Sequence, residues 1–166
     1  MRARATEIRQ TMPDPAPMLD RFEFHFRGVL DKAAAHADRV LVVRQPWFDK
    51  DYTPEEAACM WHGGAGQAWR ENVTTYYSFE VVSRLMALVD ARAAAIASAK
   101  GIEQVDLMPV LEPSLDNYYD GFHATPAGAT RAAAAIADAV LHQPLTASRA
   151  YDVRDEDPIC VDLLAS

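Results

Sequence analysis

Val40-Leu41-Val42-Val43 decides the fold, because this run is short, continuous, apolar and mostly β-branched. Pro46 follows three residues later and closes the run. Such runs are typical of strands buried on both faces of a parallel sheet, whereas a strand with one solvated face alternates between apolar and polar residues. The sequence therefore predicts a central parallel strand at residues 40–43.

A second segment, residues 102–107, predicts another strand. Between the two predicted strands, residues 75–100 carry apolar positions at steps of three and four, which indicates a long helix. Gly101 stands where a left-handed C-cap belongs. A strand, a helix and a second strand in this order predict a right-handed βαβ crossover in a parallel sheet.

Three further helices are expected. Residues 19–37 form one apolar stripe at helical spacing. Thr53-Pro54-Glu55-Glu56 is a capping box with proline at the first helical position, and it predicts a short helix that breaks at Gly63-Gly64. Thr125-Pro126 begins a final alanine-rich helix that runs to about residue 142. Two strands are few beneath these helices, since sheets usually have about four to six, so we expect an incomplete parallel sheet.

The domain boundaries follow from composition. Three prolines in residues 1–17 predict an extended lead-in rather than a packed element. Residues 18–142 form one predicted domain, and residues 143–166 form an acidic tail.

Charge and composition exclude several classes of partner. Sixteen basic and twenty-four acidic residues leave a net charge of −8, which argues against nucleic acid and anionic membrane surfaces. No run approaches the roughly 18 apolar residues of a membrane span, and residues 1–10 lack the apolar region of a signal peptide. Taken literally, the sequence predicts a cytoplasmic protein, unless the true N-terminus lies upstream. Cys59 and Cys160 form neither a disulfide framework nor a zinc pattern.

The most informative motif is the stretch from Asp120 to Gly128, Asp-Gly-Phe-His-Ala-Thr-Pro-Ala-Gly, between the last strand and the last helix. Loops that leave the carboxyl ends of parallel strands form the functional crevice of a doubly wound sheet. In such a loop His123 can take a proton from a serine hydroxyl, while Asp120 accepts the other ring N–H and stabilises the imidazolium. The pair is therefore predicted to be a general base with its orienting carboxylate.

This motif resembles the final conserved block of the SGNH, or GDSL-type, serine ester hydrolases. The preceding order of a strand ending in Gln45-Pro46, a long helix and the strand at residues 101–107 agrees with that family. The resemblance covers roughly residues 19–141, and its weight rests on the last forty of them. It implies an α/β, flavodoxin-like three-layer α/β/α fold, and hydrolysis of a small-molecule, glycan or lipid ester through an acyl-enzyme, without metal or cofactor.

The chain departs from the family in lacking its nucleophile and its oxyanion blocks. No Gly-Asp-Ser-like segment and no Gly-x-Asn-Asp segment occurs. Ser78, Ser83 and Ser98 fall on the predicted long helix, and Ser114 lies in a loop without a strained turn, so none is predicted to replace the nucleophile. The simplest interpretation is an N-terminally truncated chain that is inactive alone. The alternatives are an inactive α/β module that binds or dimerises through an exposed apolar surface, and a nucleotide-binding α/β domain, which the lack of a glycine-rich phosphate loop disfavours.

Aromatic residues after the first strand suggest a substrate pocket. Trp47, Trp61 and Trp69, with His62, are candidates to line it, although buried core positions suit the tryptophans equally well. The segment around His62-Gly63-Gly64 is similar to the oxyanion loop of α/β-hydrolase esterases, but the Gly-x-Ser-x-Gly elbow that accompanies it there is missing. Cys59 and His62 lack a third and fourth partner, so no metal site is predicted.

Overall fold

The computed structural model describes residues 5–60, 63–67 and 70–141. Within these ranges the chain forms four strands and four helices, which alternate along most of its length. In chain order the elements are β1 (Glu7–Arg9), α1 (Ala16–His36), β2 (Leu41–Arg44), α2 (Pro54–Cys59), β3 (Thr75–Tyr77), α3 (Phe79–Ala99), β4 (Glu103–Asp106) and α4 (Pro126–Leu141).

The two strands predicted from the sequence pair with each other. β2 and β4 are parallel, with Leu41 opposite Glu103 and Arg44 opposite Asp106. Val42 packs into a core cluster with Leu30 of α1 and with Ile96 and Ala97 of α3. The expected parallel βαβ unit and the α/β fold class are therefore confirmed, with α3 as the crossover helix.

A second parallel sheet was not predicted. β1 pairs with β3, so the expected extended lead-in contains a paired strand, and its last two residues belong to α1. The first residues of the predicted long helix form β3 instead. The Ser78 hydroxyl accepts the backbone N–H of Val81 and caps α3, which therefore begins at Phe79. Strands of three residues show too little alternation to be recognised, and their partners lie 68 residues apart along the chain.

The helix caps follow the sequence closely. Thr53 and Glu56 form a complete capping box at the start of α2, with proline in the first turn. Gly101 adopts φ +66°, the left-handed conformation that ends α3. Thr125 accepts the backbone N–H of Gly128 at 3.1 Å and caps α4.

A second core cluster lies beyond the carboxyl ends of β2 and β4. It consists of residues at most 3 % exposed, namely Phe48, Met60, Leu111 and Tyr118. Because these residues come from the loops that leave the sheet, the cluster fixes the segments that carry the candidate site. No helix in the described part of the chain combines the length and hydropathy needed to cross a membrane. The predicted acidic tail at residues 143–166 lies outside the described residues.

Candidate functional site

Asp120 and His123 are in direct contact. The Asp120 Oδ2 atom lies 2.6 Å from His123 Nδ1. The other carboxylate oxygen, Oδ1, accepts the backbone N–H groups of Phe122 at 3.0 Å and of His123 at 2.8 Å. With an ionised carboxylate, which is only an acceptor, and a neutral imidazole, this contact places the proton on Nδ1 and leaves the lone pair on Nε2. This is the tautomer that a general base acting through Nε2 requires.

The two side chains differ in their exposure. Asp120 is buried, with 6 % of its surface exposed, whereas 47 % of the His123 side chain is accessible. No described residue forms a hydrogen bond with His123 Nε2. The Tyr119 ring stacks on the imidazole at 5.5 Å, and the Phe122 ring lies at 4.5 Å on a tilt. The imidazole is therefore held by a buried carboxylate and two aromatic rings, while about half of the His123 side chain is exposed.

Backbone hydrogen bonds hold the Asp-His loop in shape. Tyr119 donates its backbone N–H to His123 O at 3.1 Å, and Tyr118 forms an antiparallel bridge with Ala124. Thr125 donates its backbone N–H to Asn117 O at 2.9 Å, at the point where the loop enters α4. The loop thus closes on itself before the helix begins.

The segment after β2 forms hydrogen bonds that support the Asp-His loop. Phe48 donates its backbone N–H to Gly121 O at 2.8 Å, and the Gln45 side chain donates to Phe122 O at 3.0 Å. Trp47 donates its backbone N–H to the Met108 sulfur, just after β4. The predicted catalytic pair therefore lies at the carboxyl-end edge of the β2–β4 sheet, where loops of parallel sheets collect functional groups.

The described serines all have structural partners. Ser78 caps α3, and Ser98 accepts the Gln104 amide at 2.9 Å. Ser114 begins a turn, in which its carbonyl accepts the backbone N–H groups of Asn117 and Tyr118. Ser83 donates to Asp49. Among the described residues, no serine hydroxyl is hydrogen-bonded to His123.

Trp47 is the one predicted pocket residue that the structure describes. It is 7 % exposed, and its indole N–H donates to Ser83 Oγ at 3.0 Å. Trp61, His62 and Trp69 lie outside the described residues. Sequence reasoning missed the Trp47-Ser83-Asp49 chain of hydrogen bonds. The sequence carries one signal for these hydrogen bonds. Asp49 is a polar residue soon after a buried strand, and functional loops lie at this position in parallel sheets.

Two tyrosines near the site stay protonated. Burial raises the pKa of Tyr118 to about 12. Burial, together with the charges of Asp49 and Glu56, raises the pKa of Tyr52 to about 12. Each hydroxyl donates to a backbone carbonyl, Leu111 O at 3.3 Å and Phe48 O at 2.9 Å respectively. Both tyrosines therefore act as structural donors. No group of three or more His, Cys, Asp or Glu residues within the described ranges is arranged to hold a metal ion.

Comparisons of the chain with protein-family models, with curated proteins and with solved structures found no match.

Proposed function

We propose that this chain is the C-terminal part of a serine ester hydrolase of the SGNH type, in which His123 is the general base and acid and Asp120 orients it. The nucleophilic serine and the oxyanion donors would come from protein outside these 166 residues. Ser-His-Asp chemistry needs all three roles, so the chain alone is expected to be inactive.

One observation carries the proposal: the 2.6 Å contact between Asp120 Oδ2 and the Nδ1 atom of His123, whose side chain is 47 % exposed. A carboxylate that only fixed a turn would use its oxygens on backbone N–H groups, as Oδ1 does here. Oδ2 instead holds the ring nitrogen, which selects the tautomer and stabilises an imidazolium after proton transfer.

The surroundings of the pair agree with this function. The loop that bears it follows β4 of a parallel α/β unit, and it leads directly into α4. The flavodoxin-like three-layer fold is also part of the proposal, because the paired strands β2 and β4 do not by themselves define that fold.

The test compares ester hydrolysis by this chain and by a version extended into the upstream reading frame. p-Nitrophenyl acetate is the substrate, and a fluorophosphonate reports any activated serine by covalent labelling. Each protein is also prepared with His123→Ala, and with His25→Ala as the matched control, since His25 is exposed on α1. Labelling separates serine catalysis from the slow hydrolysis that an exposed imidazole can cause by itself.

We expect no labelling of the short chain, and labelling with saturable hydrolysis by the extended protein that His123→Ala abolishes and His25→Ala leaves unchanged. Labelling of the short chain would show that its own residues supply the nucleophile, which contradicts the division of roles proposed here. An extended protein without His123-dependent hydrolysis would refute the esterase function.

A second candidate function, a binding module that dimerises, has its own supporting observation. Within the described residues β2 is paired on one edge only, and Val43 in this strand is 41 % exposed. A groove of about 640 Å³ on α1 is lined by Phe22 and Phe26, which stack at 5.2 Å. Contiguous apolar surface of this kind commonly marks an interface.

The oligomeric state tests this second candidate. Sedimentation velocity of the chain is compared with that of Val29→Glu, because Val29 is 61 % exposed on the apolar groove. Val140→Glu is the control, since Val140 is 47 % exposed on α4. A dimer that only Val29→Glu dissociates supports the binding module, and a monomer at every concentration refutes dimerisation through this surface.

A further inference from the structure

The turn between Asp120 and His123 contains two peptide units, one between Gly121 and Phe122 and one between Phe122 and His123. Their N–H groups both donate to Asp120 Oδ1, at 3.0 Å from Phe122 and at 2.8 Å from His123. A peptide unit is planar, so a partner at its C=O end also orients its N–H end. The partners of the two carbonyls therefore help to place the catalytic pair.

Both carbonyls are held by the segment that follows β2. Gly121 O accepts the backbone N–H of Phe48 at 2.8 Å. Phe122 O accepts the side-chain amide of Gln45 at 3.0 Å, from a residue 77 positions earlier in the chain. The first bond needs a backbone N–H, which every residue type except proline supplies. The second bond needs a side-chain donor at position 45.

The Gln45 amide is itself fixed in orientation. Its Nε2 atom also donates to Pro46 O at 2.9 Å, so the two N–H groups of the amide match two carbonyl acceptors. A carbonyl oxygen only accepts, and the amide oxygen of Gln45 could not take the place of the nitrogen. Gln45 is exposed, and it belongs to neither core cluster. Its side chain therefore contributes hydrogen bonds rather than apolar burial.

One peptide unit connects Gln45 to the catalytic pair. Gln45 donates to the oxygen of the peptide between Phe122 and His123, and the N–H of the same peptide donates to Asp120 Oδ1. Hydrogen bonds in such a chain polarise one another, so a donor at the carbonyl strengthens the N–H as a donor. The same peptide carries the Cα atom of His123, so its orientation also directs the imidazole.

We propose that Gln45 is a positioning residue of the Asp120 and His123 pair, acting through the peptide between Phe122 and His123. It bonds to the backbone of the turn and not to the reacting groups. Its role is to keep the imidazole aligned with the nucleophile, because a displacement of about 1 Å can lower a rate about 100-fold. The effect on rate rests on the proposed hydrolase function, whereas the effect on the turn is measured on this chain alone.

A purely structural role of Gln45 predicts a different result from a positioning role. If Gln45 only stabilised the loop, its loss would loosen both peptide units of the turn alike. In a positioning role its loss acts first on the His123 N–H, because Phe48 still holds the other peptide through Gly121 O. The Phe122 N–H, which donates to the same Asp120 oxygen, is thus an internal control.

The test replaces Gln45 with methionine, which is also unbranched but has no N–H donor. Gln10→Met is the matched control, because Gln10 is exposed and follows β1 in the other sheet. Exchange of the Phe122 and His123 amide protons with water is measured by NMR in this chain, and thermal unfolding shows whether each variant is folded. In the extended protein, kcat and KM for p-nitrophenyl acetate are measured with the same substitutions.

We expect the His123 amide to exchange about five- to tenfold faster in Gln45→Met, as for the loss of one hydrogen bond, while the Phe122 amide changes much less. Gln10→Met should leave both amides unchanged. In the extended protein, Gln45→Met should lower kcat about five- to tenfold and leave KM unchanged, because the substrate is still bound but the base is displaced.

Equal acceleration of the two amides, or unchanged exchange at His123, would overturn the positioning role. A kcat equal to that of Gln10→Met in an active extended protein would overturn it as well. An extended protein without His123-dependent hydrolysis would refute the hydrolase function, and the difference between the two amides would still decide whether Gln45 acts on the His123 peptide.

Discussion

The Asp120 carboxylate holds His123 at two points, since Oδ1 accepts the His123 backbone N–H at 2.8 Å and Oδ2 lies 2.6 Å from ring Nδ1. The backbone contact fixes the turn, and the ring contact fixes the tautomer. Because the two residues are only three apart, one short turn supplies both the base and its orienting group. The pair therefore needs no long-range contact to assemble, although it needs the rest of the fold to place it.

Asp120→Asn should change the tautomer of His123. The amide keeps an oxygen for one contact but presents N–H groups at the other, and these favour a ring in which Nδ1 accepts and Nε2 carries the proton. The measurement is ¹⁵N NMR of the histidine ring at a pH where imidazole is neutral. Asp116→Asn, at an exposed residue of the same loop, is the control and should leave the tautomer unchanged. An unchanged ring in Asp120→Asn would mean that Asp120 does not select the tautomer.

Gly128→Ala should destabilise the junction between the Asp-His loop and α4. A Cβ atom at residue 128 would lie 2.2 Å from Asn117 O, a backbone atom that also accepts the Thr125 N–H. Relief requires movement of the backbone, and we expect a loss of about 2–3 kcal/mol in the free energy of unfolding, measured by urea denaturation. Gly28→Ala is the matched control, because a Cβ there meets nothing within 4 Å. It should stabilise α1 by about 0.5–1 kcal/mol. Equal effects of the two substitutions would contradict the close approach.

The sequence predicted those parts of the molecule that depend on local signals. The apolar run around Val42, the capping box at Thr53 and the C-cap at Gly101 each need only neighbouring residues, and the structure has all three. β1 and β3 escaped prediction because three-residue strands form only through a partner far along the chain. The same holds for the hydrogen bond between Ser83 and Asp49, which are 34 residues apart: only the crossover through α3 brings them together.

Glu56 should make the stability of α2 depend on pH. Lys50 donates to its carboxylate at 2.8 Å and the Thr53 backbone N–H donates at 2.9 Å, and these contacts lower the pKa of Glu56 below its ordinary value of 4.5. The unfolded carboxyl therefore takes up a proton at a higher pH than the folded one. The stabilisation is complete above the ordinary pKa, and it is lost as the pH falls through the lower, folded value.

Thermal unfolding of the unchanged protein and of Glu56→Gln between neutral and acid pH tests this dependence. The unchanged protein should melt at the higher temperature near neutral pH, and the difference should close in acid. Glu55→Gln is the control, because Glu55 lies in the same turn and is exposed. A difference between the unchanged protein and Glu56→Gln that stays constant with pH would show that the carboxylate charge contributes nothing.

Arg39 should anchor the end of α4 to the β2–β4 sheet. Its guanidinium donates to Val140 O at 2.8 Å and to Ala139 O at 2.9 Å, and it binds both oxygens of Glu103 in β4 at 3.0 and 2.7 Å. Lysine carries the same charge but cannot span two carbonyls and a carboxylate at once. We expect Arg39→Lys to lower the free energy of unfolding by about 1–2 kcal/mol and to speed hydrogen exchange in the last turn of α4. Arg27→Lys, which alters an exposed pair with Glu23 on α1, should change stability by less than about 0.5 kcal/mol. If Arg39→Lys were as mild as Arg27→Lys and left exchange in α4 unchanged, the helix end would be held by its own packing rather than by the guanidinium.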